Sequence, residues 1–355
     1  MTLGGRRAWR YRRAMSRSEL HRVLPDPNHR ALAWPLHKAE ASRAIEAQGQ
    51  SQLPPHTLMQ RAGAAVARLA LAVAPHASRV WIAAGPGNNG GDGLEAALHL
   101  QATGRRVEVS LLGDPQRLPH DAAASLARAR AAGVSITETL PTGNEGHDLH
   151  LDALLGLGSS RAPQARLADA IAVLNRSATP VLSIDLPTGL DADTGSVLDE
   201  TGQACVRARH TLALLTLKPG LFTAQGRDHA GTVWFDDLGV ASPHPRDATL
   251  PSSRQIATLS PARRHADHKG SYGDVLVLGG AEGMVGAAWL CARAALASGA
   301  GRVYLSPLDG HASSVDPLMP ELMWRDAAAR GAMDWSALTL ACGCGGGEAV
   351  RDMLP

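Results

Sequence analysis

Arg79–Gly93 reads RVWIAAGPGNNGGDG, a short apolar run that ends in a glycine-rich turn. The apolar part reads as a buried strand, and a helix over about 92–103 follows the glycines. Working outward, the same alternation recurs. Arg106–Leu112 (RVEVSLL) reads as a strand and 121–132 as a helix. Asp148–Leu155 (DLHLDALL) is a third strand, Leu167–Leu174 lies in a helix, and Pro180–Leu186 (PVLSIDL) is a fourth strand. Thr211–Leu215 (TLALL) and Thr232–Phe235 add two more. Strands alternating with helices of this length imply βαβ units and a mostly parallel sheet covered on both faces. The fold class is therefore α/β. Upstream, 37–50 reads as a short helix. Pro54-Pro55 open a second helix over 55–74, whose apolar residues Leu58, Met59, Ala62, Val66, Leu69 and Val73 recur at three and four.

The chain has 355 residues, which suggests two domains. With 45% hydrophobic and 19% charged residues it can build a core, so global disorder is excluded. No apolar run approaches the length of a membrane span. Aromatics at 3% make stacking platforms for single-stranded nucleic acid improbable. The net charge of +2 hides an asymmetry: residues 1–30 hold eight Arg against Glu19 and Asp26, so the remainder is mildly acidic and unsuited to general polyanion binding. The expected organisation is a basic, disordered tail over 1–34, a first domain over 35–240, a linker over 241–267 and a second α/β domain over 268–355. The linker rests on Pro243, Pro245, Pro251 and Pro261 in a stretch without period. The second domain shows strands at 274–278, 302–305 and 338–341 and a helix at 284–298, few elements for an independent core, and is expected to be incomplete. Four cysteines, including the C-x-C of Cys342 and Cys344, form no disulfide framework and lack the further ligands that a metal would need. A reducing, cytoplasmic setting is expected.

Five glycines within Gly85–Gly93 let backbone approach a ligand, and the following helix start offers N–H groups to an anion. The pattern is neither the dinucleotide fingerprint nor a P-loop. Asp152 lies near the end of the third strand, ahead of Gly156-Leu157-Gly158-Ser159-Ser160-Arg161, and Asp185 lies at the end of the fourth, in Asp185-Leu186-Pro187-Thr188-Gly189-Leu190-Asp191. All three segments fall at carboxyl ends of strands in one parallel sheet, where ligands bind. Asn89, Asp152 and Thr188 could offer an all-oxygen set suited to a monovalent cation or Ca²⁺. Asp185 remains as the candidate base.

These segments, with Leu58–Gly63 (LMQRAG) and the later TLALLTLKPGLFTAQGRDHAG, resemble the NAD(P)H-hydrate epimerases over roughly 37–240. His268–Gly280 (HKGSYGDVLVLGG) and Gly283–Gly301 resemble the opening of the ADP-dependent NAD(P)H-hydrate dehydratases, a ribokinase-like fold. Together the chain resembles the bifunctional nicotinamide-nucleotide repair enzymes. The resemblance implies a Rossmann-like three-layer αβα first domain that interconverts R and S hydrates of NADH and NADPH. It implies that Asn88, Asn89, Gly90, Gly91 and Asp92 contact the hydrate. Gly156, Leu157, Gly158, Ser159, Ser160, Arg161 and Ala162 line the nucleotide, and Asp185 contacts the reacting ring. Asn89, Asp152 and Thr188 look like potassium ligands, with Thr188 standing where the family usually has Ser. In the second domain Ala287 matches a hydrate-contacting position and Gly343–Gly347 a binding turn. The family's later nucleotide loop and Gly-Asp motif find no counterpart before Pro355, so ADP and Mg²⁺ would matter only to a complete dehydratase domain. The expected partner is the small-molecule hydrate, with no nucleic acid and no membrane; self-association is left open. The competing reading is a non-catalytic nucleotide-binding or dimerisation scaffold. An ADP-dependent kinase-like enzyme would rest on the partial second domain alone.

Overall fold

The computed structural model describes residues 19–23, 33–142, 146–241, 244–252, 255–256, 258 and 263–353, with backbone only at 327–328 and 352–353. The chain divides into two compact units, Met1–Ser253 and Arg254–Pro355.

In the first unit the elements follow in this order: β1 (His21–Arg22), β2 (Trp34–Leu36), α1 (Ala39–Gln52), α2 (Thr57–Val73), β3 (Arg79–Ala84), α3 (Asn88–Ala102), β4 (Arg106–Leu111), α4 (His120–Ala131), β5 (Ser135–Thr137), β6 (Leu149–Ala153), α5 (Arg166–Arg176), β7 (Val181–Ile184), β8 (His210–Leu214), α6 (Gly226–His229), β9 (Thr232–Asp236) and β10 (Ala248–Leu250). The main sheet runs β1-β9-β8-β7-β6-β3-β4-β5. All of its pairings are parallel except β1 on β9. From β3 the chain winds outward through β4 to β5, then returns to β6 on the other side of β3 and winds the opposite way. That reversal parts the loops after β3 and β6 and opens a crevice at their carboxyl ends.

The composition of β3 explains its central place. Its side chains alternate between faces. Val80, Ile82 and Ala84 pack with apolar residues of α2, α3 and α4, while Trp81 and Ala83 pack with Ala170, Ile171 and Leu174 of α5. Helices thus cover both faces, in three layers. On α2 the residues Met59, Ala62, Val66 and Leu69 are buried, and each fully buried aliphatic side chain contributes about 1.5–3 kcal/mol. The small residues of this helix bring it close to α3: a Cβ built on Gly63 would lie 2.1 Å from Glu95 Cβ.

Several expectations need correction. The helix expected from 92 begins at Asn88, so the segment Asn88–Asp92 is its first turn and not a loop. Within the stretch read as a disordered tail, His21–Arg22 pairs with β9 and Trp34 is buried beside Phe235. Within the stretch read as a linker, Ala248–Leu250 pairs with β2. Both segments supply apolar side chains, Val23 and Leu250, to a second core around Leu217 and Val233. Runs of two or three residues carry too little period to show as strands. The connection from β7 to β8 contains no helix and is built from turns.

The second unit contains β11 (Asp274–Gly279), α7 (Val285–Ala297), β12 (Arg302–Pro307), β13 (Met323–Trp324), α8 (Ala327–Gly331) and β14 (Leu338–Cys342). Its sheet runs β13-β12-β11-β14, all parallel. Ala288 and Ala292 of α7 pack with Val277, Val303 and Leu305 of this sheet. No helix among the described residues is long and apolar enough to cross a membrane.

Candidate active site

The switch-point crevice holds a cavity of about 550 Å³. Its floor and walls come from the loops after β3, β6, β7 and β8 and from one side of α1. Asp185, the first residue past β7, stands at φ 68°, a left-handed conformation that only Gly and, less readily, Asn and Asp visit at small cost. Its N–H donates to Leu212 O at 2.8 Å, which fixes the loop to the end of β8. The carboxylate is 9% exposed as a residue and points into the cavity. Asp185 Oδ1 accepts from the Lys218 ammonium and from Leu214 N at 3.3 Å, and Oδ2 accepts from Leu157 N at 3.2 Å. Lys218 is 2% exposed and also donates to Leu214 O at 2.8 Å.

Beneath the cavity lies Asp152, completely buried at the end of β6. It accepts from Ser183 Oγ at 2.8 Å, Thr188 N at 2.9 Å, Thr188 Oγ1 at 2.7 Å and Leu154 N at 3.2 Å. Burial pushes its carboxyl above the ordinary carboxylate range, against the pull of those hydrogen bonds. Among the described residues no basic side chain pairs with it. Thr188 Oγ1 also lies 3.1 Å from Leu155 O.

Asn89 is 8% exposed, and neither its amide nitrogen nor its amide oxygen has a hydrogen-bond partner among the described residues. A buried amide left unpaired costs about 1–3 kcal/mol per group, so a structure that keeps one points to an external partner. A Cβ built on Gly156 would lie 3.2 Å from Asp185 Oδ2 and 3.3 Å from Asn89 Oδ1. The turn after β6 therefore passes between the unpaired amide and the carboxylate.

Two further carboxyls face the cavity, Asp92 from α3 and Glu46 from α1. Burial, and then the charge of Asp185, hold Asp92 well above the usual carboxylate range. The same two causes raise Glu46 less. A carboxyl raised by burial in the same cavity as an ion-paired one is the arrangement from which acid and base roles arise.

Of the expected contacts, the cavity brings together Asn88, Asn89, Asp92, Gly156, Leu157, Gly158, Ser159 and Asp185. Ser160 and Arg161 are exposed outside it, and Ala162 is half-buried outside it. Gly90 and Gly91 do not line it, and they serve packing. A Cβ on Gly90 would lie 2.1 Å from Gly85 O, and one on Gly91 would lie 2.6 Å from Met59 Sδ. Most of the glycine run thus lets backbone approach protein and not ligand. Gly87, with open space where its Cβ would be, is the exception. Ala287 belongs to the second unit, in the first turn of α7, where it packs against Gly345 of the turn after β14. Lys218, Glu46 and Arg43 are cavity residues that sequence reading missed. For Lys218 a signal existed: a lone Lys directly after an apolar strand, in LALLTLK, sits where strand ends meet the ligand crevice.

Residues 55–220 match the family model described as YjeF-related protein N-terminus. The bifunctional NAD(P)H-hydrate repair enzyme Nnr of Vibrio cholerae is 35% identical over 85% of this chain and 60% of its own length. That of Escherichia coli is 35% identical over 76% of this chain and 52% of its own. The bifunctional NAD(P)H-hydrate repair enzyme of Leishmania braziliensis is 36% identical over 75% and 49%. The chain thus spans about half to three fifths of the curated relatives it matches. Residues 55–220, which hold most of the lining of the switch-point cavity, are thus the stretch that resembles the YjeF-related protein N-terminus, and these repair enzymes are similar to the chain over three quarters or more of its length.

Proposed function

We propose that the first unit is an NAD(P)H-hydrate epimerase, interconverting the R and S hydrates of NADH and NADPH. The observation that carries this reading is Asp185: a carboxylate fixed in left-handed backbone, paired on one oxygen, facing the cavity, and separated only by Gly156 from the unpaired amide of Asn89. A scaffold module has no use for such a group, and a buried ion pair is costly to keep for stability alone.

The hydrate is a hemiaminal, whose reacting carbon bears a hydroxyl and the ring nitrogen. Inverting that carbon needs no C–H cleavage. Asp185 Oδ1 carries both the Lys218 ammonium and Leu214 N, whereas Oδ2 carries Leu157 N alone, so Oδ2 is the atom with room to take the hydroxyl proton. As the C–N bond breaks, its electron pair goes to nitrogen and a carbonyl forms. Asp92, which faces the same cavity and whose carboxyl is raised by burial and by the charge of Asp185, is placed to supply the nitrogen with a proton. The aldehyde turns its other face, the nitrogen attacks, and both protons return. Asn89 offers its amide to the carboxamide or hydroxyl of the ring, and Leu157 N–H keeps Asp185 oriented.

Asn89, Asp152 and Thr188 would hold a potassium ion. The donor set fits, being all oxygen, with an unpaired amide oxygen at Asn89 and a buried carboxylate without a basic partner at Asp152. The ion would supply a fixed positive charge under the loops. The second unit is read as the start of a ribokinase-like dehydratase domain, to which ADP and Mg²⁺ would belong. The test is chromatographic separation of R and S hydrates with and without ADP. Conversion of either epimer to the same mixture, unaffected by ADP, is expected; failure of both epimers to convert overturns the reading.

A further inference from the structure

At the rim of the main cavity lies a second one of about 340 Å³, and the two share Gln50, Leu58, Asn88 and Asp121. His56, His120 and Asp121 gather in it, and nothing in the epimerase chemistry uses them. Each offers one ligand atom, and the three atoms lie within 4.8 Å of one another. His56 Nδ1 stands 2.8 Å from Asp121 Oδ1, and His120 Nδ1 stands 3.4 Å from that same oxygen. The imidazoles are stacked, with centroids 5.0 Å apart and planes 20° from parallel.

The closest contact is not a hydrogen bond. His56 Nδ1 is buried, and among the described residues no group makes an aligned hydrogen bond to it. His120 Nδ1 does make a long hydrogen bond of 3.4 Å to Asp121 Oδ1, so of the three converging ligand atoms His56 Nδ1 is the one left unsatisfied. From the geometry we infer a binding site for a divalent transition-metal ion on His56, His120 and Asp121.

The donor set selects the ion. Two imidazoles and one carboxylate suit Zn²⁺, Ni²⁺, Co²⁺ or Cu²⁺, whereas Mg²⁺ and Ca²⁺ require oxygen shells. A tetrahedral ion with bonds of about 2.0–2.2 Å sets its ligands about 3.3–3.6 Å apart. The His120 separation of 3.4 Å falls within that spacing, and the His56 separation of 2.8 Å is shorter, so binding would move the Asp121 carboxylate and the His56 ring apart by about half an ångström. The His120 side chain, 85% exposed, can follow that adjustment. The other two ligands are anchored by backbone: His56 at the N-cap of α2 with φ 64°, and Asp121 in the first turn of α4. Helix starts disfavour a cation, and the Asp121 carboxylate offsets that charge. Three protein ligands leave a position open. Because Asp121 and Asn88 line both cavities, an ion here stands at the entrance to the main one.

The test is titration of the full chain with Ni²⁺, then Cu²⁺, in a Cys291→Ser/Cys342→Ser/Cys344→Ser background that removes every thiol except the buried Cys205. One equivalent is expected to bind. His120→Asn and Asp121→Asn should each weaken it by at least about tenfold, and Cu²⁺ should show two coordinating nitrogens by electron paramagnetic resonance, one fewer in His120→Asn. Asn is tolerated at left-handed φ, so His56→Asn is a fold-preserving third variant. Affinity unchanged in the His56→Asn/His120→Asn double variant, or the same nitrogen count with and without His120, overturns the site. Epimerase activity enters none of these readouts.

Discussion

Lys218→Met removes the charged partner of Asp185 while keeping most of the buried volume. The wild-type ammonium is 2% exposed and contacts both Asp185 Oδ1 and Leu214 O. Methionine leaves a carboxylate in a low-dielectric site with two backbone N–H groups for company, Leu214 N and Leu157 N. Breaking one side of a buried pair typically costs about 3–5 kcal/mol. With a urea slope of about 3 kcal/mol per molar for a unit of this size, the midpoint should fall by about 1–1.7 M. Asp185→Asn/Lys218→Met removes both charges and should recover most of that loss, a coupling of about 2–3 kcal/mol in a double-mutant cycle. The assay is urea unfolding followed by circular dichroism, read on the transition of the first unit. A single-variant cost below about 1 kcal/mol, or a double variant as unstable as Lys218→Met, refutes the view that the pair is tightly coupled.

Three other outcomes follow from the same geometry. Asp92 carries a carboxyl raised by burial and by Asp185, so the folded state binds its proton more tightly than the unfolded state does and loses stability as pH rises through the folded value; the melting-temperature advantage of Asp92→Asn over wild type should therefore grow from pH 5 to pH 8, and a constant difference contradicts the assignment. Potassium should raise the melting temperature above that in tetramethylammonium at equal ionic strength, and Asp152→Ala should erase the difference; equal curves for both cations in the wild type remove the ion site. Gly90→Ala drives a Cβ to 2.1 Å from Gly85 O and should destabilise by more than about 2 kcal/mol, whereas Gly87→Ala, in open space, should stay within about 1 kcal/mol; equal effects would show that the glycine run is not there for packing.

The parallel sheet was legible because β3, β6, β7 and β8 are buried on both faces and are rich in apolar residues, though β6 also buries His150 and Asp152. Arg79–Ala84 was placed to the residue, since Pro and Gly bound it closely. The candidate base was legible from position alone: Asp185 follows an apolar strand, and strand ends converge. Three kinds of feature were hidden. Edge pieces such as His21–Arg22 and Ala248–Leu250 are held by pairing with β9 and β2, contacts made across more than two hundred residues. The start of α3 at Asn88 was masked because glycines signal a turn locally, yet here their lack of a side chain lets the helix seat against Gly85 and Met59. Cavity residues from α1, Glu46 and Arg43, belong to a helix whose docking on the sheet leaves no mark in its own pattern. The approach of His56 to His120 and Asp121 joins two helix starts more than sixty residues apart, a juxtaposition created by the packing of both α2 and α4 on α3.

Everything in the proposed chemistry passes through one oxygen of Asp185. Asn is nearly isosteric with Asp, tolerates φ 68° at this position and keeps a hydrogen-bond acceptor for Leu157 N–H, but it takes no proton. Purified R hydrate incubated with Asp185→Asn should remain R on the timescale in which the wild-type chain brings it to the R/S mixture, while hydrate binding, measured by calorimetry, stays within about tenfold of wild type. Conversion at a near-wild-type rate in that variant would contradict the account, because the base would then have to be another group.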